Sequence, residues 1–294
     1  MTKEEAKRLV EKHYQKDNIS KDDEFIFVEA CQFLIETEND SDAMVNLGGY
    51  YYAKEKYDLA EKYYLMAFDA GDDWVADGLG FIYYYGRVGA RDYKKAFYYF
   101  SLAKDNGNME AAMKIADMYH HGFGVDKDDE KYKAILLDIF DKIKDTNQLF
   151  DPYPEVAHRL ADIYINEGHG EDAFDMLVKG KSFIEQRIRY NPFWGNFIVC
   201  RRLIGLYYQV VEFDEDKFNL FDLFYVLNKP HVVRLTYHGK QYDIESFFDE
   251  GEMRVKCDGR LYKSTENFLS NALFDNKHTY IIEYDDYYLL EMIK

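Results

Sequence analysis

The chain has 294 residues, 47% hydrophobic and 18% aromatic, with 37 basic against 55 acidic residues and a net charge of −18. This composition excludes a disordered chain, and so large an acidic field repels nucleic acid and anionic membranes while favouring basic protein partners. The opening MTKEEAKRLVEKHY lacks the apolar segment of a signal peptide, no run of about 18 apolar residues occurs, and Cys31, Cys200 and Cys257 stand far apart, so a reducing cytoplasm is the expected compartment.

In chain order, Ala6, Val10 and Tyr14 mark one face of a first helix. Glu11 stands where later helices carry a small residue, which suits an end facing water, and residues 1–41 read as a capping helix pair. Beyond it a set of offsets recurs. Leu47, Leu79, Ile115, Leu160 and Ile204 are each followed four residues on by a tyrosine, namely Tyr51, Tyr83, Tyr119, Tyr164 and Tyr208. Each anchor is followed directly by Gly48, Gly80, Ala116, Ala161 or Gly205, and preceded four residues earlier by Ala43, Val75, Ala111, Val156 or Cys200. Residues four apart share one helical face, and a small residue beside the anchor lets a neighbouring helix approach. The anchors therefore predict the first helices of hairpins, with Tyr51 and Tyr83 packed inward. A second helix has its own template: Ala60, Tyr63, Ala67 and Gly71 recur as Ala96, Tyr99, Ala103 and Gly107, the glycines ending the helices. After Ala134 the template decays to Leu137, Asp141 and Asp145, and Ala173 and Met176 restart it without completing it.

Between two such helices lies ADMYHHGFGVDKDDEKYKA, residues 116–134. A phosphate cradle would need Gly-Lys-Ser/Thr, or a third glycine opening a helix after a strand; here the glycines follow a helix and precede acid. Asp117 and His120, three apart, could share a divalent ion with Asp162, but two ligands alone bind weakly, so the expectation is no metal and a turn in which Gly122 and Gly124 supply unusual backbone angles.

LGFIYYYGRVGARDYKKAFYYFSLAKDNG (79–107) and IADMYHHGFGVDKDDEKYKA (115–134) resemble Sel-one-like repeats, a variant of the tetratricopeptide superfamily. The resemblance is specific over 42–134 and traceable over 1–228, although the first and fourth hairpins lack the Gly-x-Gly-Val loop. It implies a mainly α chain, a right-handed α-solenoid of antiparallel helix pairs, that acts as a scaffold without catalysis or cofactor. In such an array the first helices line a concave groove. The positions beside the anchors make Tyr52, Asp77, Phe81, Tyr84, Tyr85, Asp117, His120, His121, His158 and Asp162 the candidate binding residues. Tyrosine offers large contact area at small entropic cost, and the aspartates favour lysine or arginine.

The pattern changes in the last part of the chain. RIRYNPFWGNF (187–197) reads as a positively charged bend ahead of a fifth helix pair. After Pro230, HVVRLTYHGKQYDI and MRVKCDGRLYK alternate apolar and polar residues around turns, Asp258-Gly259 being the stronger hairpin signal. STENFLSNALF reads as a helix capped by Ser264 or Thr265, and TYIIEYDDYYLLEMI as a strand pair turning at Asp285-Asp286. Residues 230–294 are thus expected to form a small β-rich α+β domain. His231, His238, Asp243, Glu245, Cys257 and His278 within it have no catalytic spacing. The expected function is a non-catalytic scaffold or adaptor holding a basic protein or peptide in an acidic, tyrosine-rich groove. The alternatives are an inhibitor or immunity-type protein against a basic toxin or nuclease and, less favoured, a metal-dependent enzyme or regulator.

Overall fold

The computed structural model describes residues 1–14, 19–146, 148–283 and 288–293, and the chain divides into two units, Met1–Ile135 and Leu136–Lys294. In the amino-terminal unit α1 (Lys3–Tyr14) and α2 (Lys21–Glu38) pair through Ala6, Val10, Phe27, Ala30, Cys31 and Leu34. A reciprocal cap between Ser20 and Asp23 starts α2. The side chain of Tyr14 lies outside the described residues.

Three hairpins follow: α3 (Ser41–Ala53) with α4 (Tyr57–Asp69), α5 (Ala76–Tyr85) with α6 (Tyr93–Asp105), and α7 (Met109–His121) with α8 (Asp129–Ile143). Seven residues before each anchor stands a capping side chain. Asp40, Asp72 and Asn108 accept hydrogen bonds from the backbone N–H groups of Ala43, Trp74 and Ala111 at 3.0, 3.1 and 2.9 Å. Each satisfies a donor that a helix start leaves orphaned.

The anchor tyrosines occupy matching places in successive hairpins. The carbonyls of Tyr51, Tyr83 and Tyr119 accept the N–H of Lys56, Asp92 and Asp128, the residues just ahead of α4, α6 and α8, at 2.9, 3.0 and 2.9 Å. The ring of Tyr51 stacks on Tyr63 and that of Tyr83 on Tyr99, at 5.6 and 5.7 Å. Lys56, Lys95 and Lys131 each place an ammonium over the tyrosine ring of their own hairpin.

The small residue after the anchor has a specific reason. A Cβ on Gly48 would lie 2.3 Å from the Tyr64 ring, and one on Gly80 would lie 2.5 Å from the Phe100 ring, so an aromatic of the second helix lies flat on each glycine. In the Gly-x-Gly turn, Gly122 and Gly124 have φ of +69° and +74°. A Cβ on Gly124 would stand 2.5 Å from the Tyr93 carbonyl oxygen, and Phe123 stacks on the Tyr93 ring at 4.5 Å. The third loop rests on the start of α6, and the turn is a packing device.

The decayed template over α8 did not cost the helix its core stripe. Tyr132, Leu136, Ile139 and Ile143 are buried at spacings of four, three and four, a register displaced from the alanine positions.

In the carboxy-terminal unit α9 (Tyr153–Asn166) and α10 (Gly170–Tyr190) repeat the hairpin join, the Tyr164 carbonyl accepting the N–H of His169 at 2.7 Å. The chain bends after α10 and resumes as α11 (Trp194–Val210). Arg187, read from sequence as part of a positively charged bend, lies instead in the last turn of α10 and is buried. It donates to Glu155 at 2.5 Å, to the Leu149 carbonyl at 3.0 Å and to the Asp151 carbonyl at 2.6 Å.

The expected fifth helix pair is not completed: α12 (Leu223–Val226) is a single turn. The acidic run at 214–216 and closely spaced Phe218, Leu220 and Phe221 give no helical stripe. Here Lys181 bridges Glu185 at 2.9 Å and Asp222 at 3.3 Å, with the Leu220 N–H donating to Glu283 at 2.7 Å. Burial and the Glu185 charge push the Glu283 carboxyl up to about 8.

The sheet contains β1 (Val232–Tyr237), β2 (Lys240–Asp249), β3 (Glu252–Cys257) and β4 (Arg260–Tyr262), followed by α13 (Thr265–Asn271) capped by Ser264. A two-stranded ribbon of β5 (Leu273–Phe274) and β6 (Lys277–His278) leads into α14 (Thr279–Ile282) and β7 (Tyr288–Ile293). The strand order is β4-β3-β2-β1-β7, antiparallel throughout, with Leu235 between Tyr242 and Leu290. Both hairpins fall where the sequence places them. The expected strand at 279–283 is a helix turn instead, because Thr279, Tyr280 and Ile282 turn inward and β7 pairs with β1. Asp285 and Asp286 lie outside the described residues.

Candidate functional site

The candidate residues of the amino-terminal unit sit on α3, α5 and α7. Phe81, Tyr84 and Tyr85 form one aromatic cluster: Phe81 stacks parallel to Tyr85 at 6.2 Å, and Tyr84 meets Tyr85 edge-on at 5.1 Å. The cluster is rooted in the core by Phe100, which lies 5.1 Å from Phe81 and 6.1 Å from Tyr84. Tyr85 is the exposed member, at 42% of its area. Burial, with the Asp117 charge behind it, pushes the Tyr84 hydroxyl up to about 12, so it remains a neutral hydrogen-bonding group at physiological pH. Phe123 bridges Tyr84 to His121, at 6.4 and 5.2 Å, and His121 meets His120 at 4.8 Å.

Two of these polar residues have structural partners. His120 places Nδ1 2.7 Å from Asp129 and its ring 4.6 Å from Tyr132, fixing the start of α8. Asp77 accepts a hydrogen bond from the Asn108 side chain at 3.1 Å, holding the cap of the following hairpin. Among the described residues no group of three or more His, Cys, Asp or Glu side chains is arranged to hold a metal ion.

His158 and Asp162 lie on α9. His158, expected on the groove, is buried, with Arg159 Nη1 3.0 Å from its Nε2. Burial, joined by the charges of Arg159 and Arg202, holds its imidazole well below the usual range, so it is neutral and not presented to a partner. Asp162 is exposed.

Sequence reasoning missed two residues of this face, Arg87 and Lys114. The Arg87 guanidinium lies 4.8 Å from the Tyr57 ring centre and 5.3 Å from that of Tyr85, beside Tyr52. Lys114 lies over Phe81, Tyr84 and Tyr85 at 5.7, 5.4 and 5.6 Å. Lys114 stands one residue before its anchor, outside the offsets used to find the face. The signal that could have found it was a cation one hairpin on from a triple aromatic.

Comparison with known proteins adds the following. The Sel1 repeat family model matches residues 41–72, 77–108 and 110–135. A curated relative, the ERAD-associated E3 ubiquitin-protein ligase component HRD3B of Arabidopsis thaliana, is 27% identical over 140 residues, which is 46% of this chain and 21% of that protein. The chain thus spans about a fifth of that relative's length. Two solved structures are similar at a TM-score of 0.45 over 65% of the chain. One is a protective antigen of uropathogenic Escherichia coli strains with an SLR fold, at 15% identity and 46% of its length. The other is a Sel1 repeat protein from Oxalobacter formigenes, at 18% identity and 75% of its length.

Sel1-repeat proteins generally mediate protein–protein interaction and are typically non-catalytic adaptors. Among the described residues no helix is long and apolar enough to cross a membrane. The three family matches coincide with the hairpins whose tyrosines and caps repeat in register, and residues 41–72, 77–108 and 110–135 are Sel1 repeats.

Proposed function

We propose that residues 41–135 bind a basic protein or peptide, without catalysis, on the face built by α3, α5 and α7. The supporting observation is the aromatic cluster Phe81–Tyr84–Tyr85, rooted on Phe100 and open at Tyr85. Rigid tyrosines of this kind dominate binding energy where they are held in place beforehand. Asp117 behind the cluster and the net charge of −18 favour a cationic partner and speed its approach. Within this reading residues 1–41 cap the array, repeat-like helices extend over 42–228 with the last pair incomplete, and residues 230–294 carry the sheet of the carboxy-terminal unit. The cytoplasm is the compartment it assigns, since Cys31, Cys200 and Cys257 are buried and unpaired.

Affinity capture from native lysate tests the reading by comparing the unaltered protein with Tyr52→Ala/Tyr85→Ala. Both side chains are at least partly exposed, so the variant should keep its melting temperature within a few degrees. The expected result is loss of one retained protein, a drop of about 30-fold in affinity, with retention weakening as salt rises. Unchanged capture by the folded variant would move the binding face elsewhere.

A further inference from the structure

Three aromatic rings on this face have their centres within 6 Å of one ammonium, and that ammonium belongs to the chain itself. Lys114 Nζ sits 5.4–5.7 Å from the ring centres of Phe81, Tyr84 and Tyr85 and donates to the Tyr85 hydroxyl at 3.3 Å. Among the described residues no carboxylate lies within 4.0 Å of it as an ion-pair partner. The repeat does not require a lysine there, since the equivalent positions of the two preceding hairpins are Asn46 and Gly78. The aromatic triad is likewise particular to α5: its counterparts are Gly49, Tyr52 and Ala53 on α3, and Asp117, His120 and His121 on α7.

We propose that Phe81, Tyr84 and Tyr85 form a cage for an alkylammonium group, which Lys114 fills in the free protein and a lysine side chain of the basic partner takes over on binding. The negative faces of the rings attract a cation, and Asp117 adds to that attraction near Tyr84. Lys114 is half-buried on a flexible stem with no ion pair to break, so it can leave at small cost. Its presence lowers the apparent affinity for any incoming cation by the fraction of time the cage stands filled. The inference rests on the reading above only for the identity of the occupant.

The test uses the full chain and tetramethylammonium chloride as probe, followed by the tyrosine ring resonances at constant ionic strength. Lys114→Gln empties the cage, and Lys114→Met does so as a second variant should the first fold poorly. The expected result is that either variant binds tetramethylammonium about ten-fold more tightly than the unaltered protein. Tyr85→Leu added to Lys114→Gln should abolish the gain. Lys104→Gln removes the same charge from a partly exposed position at the end of α6 and should change the affinity less than about two-fold. Equal affinity in Lys114→Gln and the unaltered protein would overturn the cage, as would an equal gain in Lys104→Gln or a gain surviving Tyr85→Leu. The small-cation titration leaves the partner-capture comparison independent, so the two readings can fail separately.

Discussion

Arg187→Met is expected to cost the carboxy-terminal unit about 3–5 kcal/mol, because it leaves buried groups without their cation. The guanidinium joins Glu155 to the carbonyls of Leu149 and Asp151, tying α10 to the segment that leads into α9. Glu155 Oε2 is already a buried oxygen without a hydrogen-bond partner. Removing the arginine strands the whole carboxylate, and the penalty for a lone buried charge exceeds the value of the pair itself. Urea unfolding of a Trp74→Phe background, in which Trp194 alone reports, measures it. Arg187→Met/Glu155→Gln should recover part of the loss. A loss below about 1 kcal/mol for the single variant would mean the pair behaves as a surface ion pair.

The second large effect is at Gly124. Gly124→Ala places a Cβ 2.5 Å from a backbone carbonyl oxygen at a φ of +74°, and neither the loop nor the first turn of α6 can give way cheaply. The expected loss is about 2 kcal/mol or more in the amino-terminal unit. Gly71→Ala provides the comparison. Its φ of +94° is also left-handed, but nothing lies within 4 Å of the added carbon, so only backbone strain of about 1 kcal/mol applies. Thermal unfolding by circular dichroism separates the two. Equal losses would show that the contact with Tyr93 does not hold the turn.

Much of the amino-terminal unit was legible because each repeat repeats its reasons. Leu79, Gly80 and Tyr83 are legible as a stripe since a core helix, a close approach and a stacked ring each need a particular residue type at a fixed spacing. The β hairpins were legible from the alternation around His238-Gly239 and Asp258-Gly259, whose positive φ values fit tight turns.

What escaped the sequence depends on long-range packing. Residues 279–282 have strand-like composition, yet the burial of Thr279 and Ile282 makes them a helix turn. Arg187 looks like a surface charge until Glu155, 32 residues away, is brought to it. His158 has the right offset for an exposed face, yet it is buried. That Phe81, Tyr84 and Tyr85 stand side by side was legible from their helical spacing. That rings of this face already hold Arg87 and Lys114 was not, because a cation–π contact between hairpins leaves no fixed spacing along the chain.

Hydrogen exchange on the protein alone and with its captured partner tests the central claim most directly. If the first helices carry the binding face, exchange slows across residues 76–85 and 109–121 when the partner is present, and residues 232–262 are unaffected. Slowed exchange confined to residues 232–262, with α5 and α7 unchanged, would contradict the account.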